Sequence, residues 1–118
     1  MEDNRRFNRV KCEEKVLVGF EGSIASAQLL NISLRGALVE FDNNVTFQLG
    51  DILDITFPLD TSDILLQFEA KVMHRNNNVA GVKFICIDLD SMIHLRSFIE
   101  ARTMDPDQVI KEFEYFLT

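Results

Sequence analysis

The sequence predicts a mainly β domain, an antiparallel barrel or sandwich, followed by C-terminal α-helices. Short apolar segments alternate with turn-forming residues over most of the chain. After the last of these segments, the apolar residues change to the spacing of a helix. The composition is that of a globular protein, because 47% of the 118 residues are hydrophobic and 26% are charged, with only 5 Gly and 2 Pro. A single folded domain is therefore expected.

Six predicted strands follow one another along the chain, separated by turns such as Glu21-Gly22-Ser23, Asp42-Asn43-Asn44 and Asn76-Asn77-Asn78. In the first strand, Val16, Val18 and Phe20 alternate with Lys15, Leu17 and Gly19, a spacing of two that is typical of a strand. The predicted strands are Lys15–Phe20, Ile24–Leu30, Ala37–Phe41, Ile52–Phe57, Ile64–Met73 and Val79–Ile85.

Two helices are predicted at the C-terminus. The first starts near Leu89, with Asp88 or Asp90 available as its N-cap, and completes a barrel segment of residues 15–103. The second occupies residues 104–118 and opens at Asp105-Pro106, an N-cap residue followed by proline. Its apolar stripe either packs against the barrel or forms a docking surface for a partner. The stripe consists of Val109, Ile110, Phe113, Phe116 and Leu117.

Residues 1–14 are polar and are predicted to form a flexible N-terminal arm. Residues 5–11 contain four basic residues and no acidic one, although the whole chain has 12 Lys+Arg, 19 Asp+Glu and a net charge of −7. This balance disfavours a broad nucleic-acid-binding surface. A basic run is usually solvated charge, but arginine can also pair with phosphate and stack on a base.

A second polar motif lies between two predicted strands. Asn31 and Ser33 are two positions apart, so on an extended chain their side chains point to the same face. Gly36 permits a backbone turn or the close approach of a ligand. Taken alone, the segment is also consistent with an ordinary turn between strands.

Other chemistry is not expected. Cys12 and Cys86 fit neither a zinc site nor a redox pair and are expected to be reduced thiols of a cytoplasmic protein. His74 and His94 show no spacing for a metal site or a nucleophile. No enzymatic motif, metal site or cofactor is therefore predicted. A signal peptide and a membrane-spanning segment are not expected either, because the sequence shows no long apolar run.

The order and spacing of the two motifs resemble the PilZ domain family of bacterial receptors for the second messenger cyclic di-GMP. R-x-x-x-R spans Arg5 to Arg9, and N-x-S-x-x-G follows after 21 residues, at Asn31 to Gly36. Gly81-Val82-Lys83-Phe84 is similar to a late strand of PilZ barrels. The resemblance covers residues 5–102 and implies a six-stranded antiparallel barrel with the arm over one face.

The resemblance also implies the roles of individual residues. The two arginines of the first motif would bind phosphate and stack on guanine, with Arg6 assisting. Asn31 and Ser33 would hydrogen-bond a guanine edge, and Gly36 would keep the turn open. Arg35 occupies an unspecified position of the second motif and is expected to contribute less. The implied ligand-binding residues are Arg5, Arg6, Arg9, Asn31, Ser33 and Gly36.

The implied function is that of a cyclic di-GMP receptor that changes conformation on binding and signals by contact with a downstream protein. A ligand-independent PilZ-like adaptor is the alternative, but such relatives typically lack the arginine motif. A nucleic-acid-binding barrel ranks lower, because the aromatic residues are 10 Phe and 1 Tyr, mostly at core-like positions.

Overall fold

Six antiparallel strands close into a barrel in the computed structural model, which describes residues 7–59 and 63–117. The strands are β1 Val10–Phe20, β2 Ser23–Ile32, β3 Gly36–Phe41, β4 Ile52–Pro58, β5 Leu65–Asn76 and β6 Val79–Ile87, followed by the helices α1 Leu89–Glu100 and α2 Pro106–Leu117. Their order around the barrel is β1-β2-β3-β6-β5-β4, and β1 pairs with β4 to close it. The predicted six-stranded barrel with C-terminal helices is confirmed.

The alternation of apolar and polar residues decides which face of each strand points inward. Along β5, Leu66, Phe68, Ala70 and Val72 are buried, whereas the residues between them are exposed. A strand with this period of two places every second side chain in the barrel interior. All six strands provide buried apolar side chains to the core in this way.

The N-terminal boundary of the barrel differs from the prediction, because β1 begins at Val10 rather than at Lys15. Val10 is buried and pairs with Ile32 of β2, so residues 10–14 of the expected arm belong to the barrel. The sequence pattern did not indicate the first residues of β1, because the outward residues there are charged and the register with β2 shifts between Lys11 and Glu14. Residues 1–6, the remainder of the expected arm before Phe7, lie outside the described residues.

The two helices follow local signals in the sequence. Asp88 is the N-cap of α1, and its carboxylate accepts a hydrogen bond of 3.2 Å from the Ser91 backbone N–H. Phe98 of α1 packs edge-on against Phe57 of the barrel, with ring centroids 5.2 Å apart. Neither helix has, over its described residues, the length and apolar character needed to cross a membrane.

The apolar stripe of α2 is covered at two of its positions. Val109 and Phe113 are buried, whereas Ile110 is 38% exposed. The Arg96 guanidinium of α1 lies over the Phe113 ring, 5.0 Å from its centroid. The side chains of residues 116 and 117 lie outside the described part of the chain. The stripe therefore packs at least partly within the domain, with α1 as one neighbour.

Candidate functional site

A groove of about 750 Å³ lies where the β2–β3 turn meets β5, β6 and the residues before β1. It is the place at which the described residues of both sequence motifs come together. Its lining includes Arg9, Asn31, Ser33, Arg35 and Gly36, together with Met73 and His74 of β5 and Lys83 of β6.

Arg9 and Asn31 are in direct contact. Arg9 Nη1 donates a hydrogen bond of 2.8 Å to Asn31 Oδ1, and the Arg9 side chain is exposed to solvent. The pairing of Lys11 with Asn31 in the β1–β2 register explains this proximity, because it places the start of β1 beside the end of β2. Two motifs separated in sequence thus form one polar corner of the groove.

Ser33 shapes the turn from inside it. Its side chain is buried, and its Oγ accepts hydrogen bonds from the backbone N–H groups of Arg35 at 3.0 Å and Gly36 at 3.1 Å. The hydroxyl also donates to the Gly36 carbonyl oxygen at 3.3 Å. Such a side-chain-to-backbone network fixes the turn conformation. The expected contact between Ser33 and a guanine edge stays a prediction.

Gly36 lies where two neighbouring strands approach closely. A Cβ atom at this position would overlap the carbonyl oxygen of Val82 on the neighbouring strand β6. The backbone there is not in the left-handed region, where Gly22 and Gly50 are the two glycines found. The absence of a side chain therefore allows β3 and β6 to approach closely, and the expected role of Gly36 in keeping the turn open stays a prediction.

The groove also contains basic side chains at positions that the motifs leave unspecified. Arg35 lines it and holds its guanidinium 5.3 Å from the centroid of the Phe7 ring. Lys83 is exposed and reaches the groove because it pairs with Gly36 in the β3–β6 register. The sequence could indicate that Lys83 points outward from β6. That it lies beside Gly36 in the groove follows only from the non-local pairing of β3 with β6.

The local charge of the groove is opposite to that of the whole chain. Arg9, Arg35 and Lys83 line it, and none of its described lining residues is acidic, whereas the chain carries a net charge of −7. Arg5 and Arg6, the other predicted ligand-binding arginines, lie outside the described residues. Such a concentration of cations favours a small anionic ligand.

Two other kinds of site are less suited to such a ligand. A second cleft, of about 440 Å³, is lined by Glu21 and Asp42 and by no basic residue. Within residues 7–59 and 63–117, no group of His, Cys, Asp or Glu side chains could hold a metal ion.

Comparison of the structure with solved structures gives several similar barrels. The PilZ domain of YcgR from Escherichia coli, determined with c-di-GMP, has a TM-score of 0.73 and 13% identity, over 85% of this chain and 92% of that chain. MotI (DgrA), the inhibitor of motility of Bacillus subtilis, has a TM-score of 0.70 and 18% identity over 83% of this chain. The chain spans 50% of the length of MotI.

PlzA of Borreliella burgdorferi, in complex with c-di-GMP, has a TM-score of 0.62 and 18% identity, over 81% of this chain and 41% of that chain. A comparison of the sequence with curated proteins finds no match. The family model of the PilZ domain, in contrast, matches residues 3–101, which include both motifs and the whole barrel. The chain therefore belongs to the PilZ domain family.

Proposed function

We propose that this protein is a bacterial receptor for cyclic di-GMP and that it binds the dinucleotide in the groove beside Arg9. The observation that carries the proposal is the set of three cations, Arg9, Arg35 and Lys83, in a groove without acidic lining residues among those described. Cyclic di-GMP presents two phosphates and two flat purines. Arginine can pair with the first and stack on the second, so one groove rich in arginine serves both parts of the ligand.

Each groove residue has a proposed role. Arg9 binds a phosphate or stacks on a guanine, and Asn31 hydrogen-bonds a guanine edge. Because Asn31 Oδ1 accepts from Arg9 in this structure, the ligand has to replace that bond when it engages both side chains. Arg5 and Arg6 lie outside the described residues, and we assign them to the same ligand as further phosphate- or guanine-binding arginines. Ser33 contributes by fixing the turn that presents Asn31 and Arg35.

The comparisons support this ligand. The PilZ domain of YcgR and the PlzA protein were both determined with c-di-GMP, and their barrels resemble this one. A ligand-independent adaptor would not need a groove lined by basic residues in a chain whose net charge is negative. The receptor is accordingly the stronger of the two functions.

Signalling by contact with a downstream protein completes the proposal. Binding of cyclic di-GMP changes the conformation of the receptor and thereby the surface offered to that protein. MotI, an inhibitor of motility whose structure contains a similar barrel, is a precedent for an effector with this fold. We place the receptor in the cytoplasm without catalytic activity, cofactor or nucleic-acid partner. The two free thiols and the net charge of −7 are consistent with this assignment.

Calorimetric titration of the full chain with cyclic di-GMP tests the proposal. Saturable binding is expected, and Arg9→Ala is expected to weaken it by about tenfold to a hundredfold, the loss of one charge-assisted hydrogen bond. Lys15→Ala is the matched control, because it removes an exposed cation of the adjacent strand β1 that does not line the groove. Absence of binding to the folded protein would refute the receptor. Equal losses for Arg9→Ala and Lys15→Ala would refute the site.

A further inference from the structure

We propose that α2 positions the groove arginines, Arg9 through the buried side chain of Glu112 and Arg35 through Tyr115, so that the affinity for cyclic di-GMP depends on this helix. The inference rests on the proposed function. It starts from an element outside the family match, which ends at residue 101, whereas α2 spans Pro106–Leu117. This helix contacts the residues that precede β1, and two of those residues, Phe7 and Arg9, line the groove.

Glu112 makes the first of these contacts. Its side chain is only 1% exposed, although it is a carboxylate. The backbone N–H of Asn8 donates to both of its oxygens, at 3.0 Å to Oε2 and 3.2 Å to Oε1. Gln108 Nε2, one turn earlier on α2, also donates to Oε2 at 3.3 Å. A buried carboxylate is stable only when hydrogen bonds replace its lost hydration, so this contact fixes the backbone at Asn8.

Tyr115 makes the second contact, one helical turn away from Glu112. Its ring lies beside that of Phe7, with the centroids 6.1 Å apart and the planes at 58°. The same Phe7 ring carries the Arg35 guanidinium at 5.3 Å. A continuous series of contacts therefore runs from α2 through Phe7 to an arginine that lines the groove.

The contact at Asn8 acts on the other groove arginine. Asn8 directly precedes Arg9. In the structure in which Glu112 accepts a hydrogen bond from the Asn8 amide, Arg9 Nη1 also donates to Asn31 Oδ1. The helix thus keeps the Arg9 backbone where its side chain can enter the groove. Ordering a chain segment costs conformational entropy, and a ligand that meets an already ordered segment binds more tightly. Glu112 is accordingly a positioning residue that favours binding.

The experiment compares Glu112→Ala with Glu114→Ala, which removes the same charge from an exposed position of the same helix. Glu112→Ala is expected to weaken cyclic di-GMP binding by roughly five- to tenfold, whereas Glu114→Ala leaves it unchanged. Glu112→Gln, which keeps one acceptor oxygen, is expected to restore part of the affinity. An affinity of Glu112→Ala equal to or higher than that of the wild type would overturn the proposal.

A double-mutant cycle separates positioning from a general loss of stability. If Glu112 acts through Arg9, the losses of Glu112→Ala and Arg9→Ala are less than additive. Fully additive losses would contradict the coupling. If Glu112→Ala does not fold, Tyr115→Ala removes the other contact from a side chain that is 42% exposed and is expected to weaken binding as well. Wild-type affinity in that variant would then contradict the proposal.

Hydrogen exchange at the Asn8 amide distinguishes this inference from the proposed function, because it needs no ligand. Faster exchange in Glu112→Ala, but not in Glu114→Ala, is expected when Glu112 holds that amide. Equal exchange rates in both variants would overturn the positioning role. A wild-type protein that shows protected exchange but binds no cyclic di-GMP would refute the receptor and leave the Asn8 contact itself established.

Discussion

Arg35 combines two properties that make it a stronger ligand-binding candidate than its place in the motif suggests. It lines the groove, and its guanidinium lies 5.3 Å from the centroid of the Phe7 ring, which restricts its position. We expect Arg35→Ala to weaken cyclic di-GMP binding by about tenfold, measured by calorimetry against Lys15→Ala. Arg35→Lys should recover only part of the loss, because an ammonium group cannot make the forked contact. Wild-type affinity in Arg35→Ala would exclude a ligand contact.

The two cysteines are expected to differ in reactivity. Burial, with a smaller contribution from the Glu14 carboxylate, raises the pKa of Cys12 from 9.0 to about 11, whereas Cys86 is exposed. The thiolate is the reactive form, so at about pH 8 an alkylating reagent should modify Cys86 at least tenfold faster, by mass spectrometry of each peptide. Comparable rates would show that Cys12 is not shielded in solution.

The same shift in the pKa of Cys12 affects stability in alkaline solution. Between its unperturbed value of 9.0 and about 11, the unfolded chain releases this proton more readily than the folded one. The contribution of Cys12 to the free energy of unfolding therefore decreases as the pH rises through that window.

At the level of elements, the contact between β3 and β6 depends on Gly36. Gly36→Ala places a Cβ against the Val82 carbonyl and should lower the free energy of unfolding by roughly 1–3 kcal/mol, the usual cost of overpacking. Denaturant unfolding measures this loss. Gly19→Ala is the matched control, since a Cβ there would meet Asp54 Cβ at an ordinary 3.7 Å. Equal stability of the two variants would contradict the close approach.

Local signals allowed most elements to be predicted from the sequence. The N-cap of α1 and the proline that begins α2 depend on nearby residues alone. The sequence offered Asp88 or Asp90 as the N-cap, and the structure has Asp88; α2 begins at Pro106 as expected. The start of β1 was missed because its outward face is charged and its register is irregular between Lys11 and Glu14. A strand of that kind is recognised by its partner strand, which is distant in sequence.

At the level of the whole molecule, the candidate site could be predicted only in part, for the same physical reason. Arg9 and Asn31 could be predicted because each belongs to a motif of defined spacing, and the structure brings the two side chains into contact. Lys83 carries no such signal, because its place in the groove comes from the pairing of β3 with β6. The contact of Glu112 with Asn8 joins residues 104 positions apart and likewise depends on the closed tertiary structure.

The distribution of charge and shape over the barrel gives the central claim a direct test. The basic groove and the acidic second cleft are lined by separate sets of residues, so a ligand bound in one should affect different amides from a ligand bound in the other. Backbone amide chemical shifts of the isotope-labelled full chain, recorded during titration with cyclic di-GMP, report the location. The predicted result is saturable change at Asn31, Gly36 and Lys83, with Glu21 and Asp42 unaffected. No saturable change, or change confined to Glu21 and Asp42, would contradict a cyclic di-GMP site in the groove.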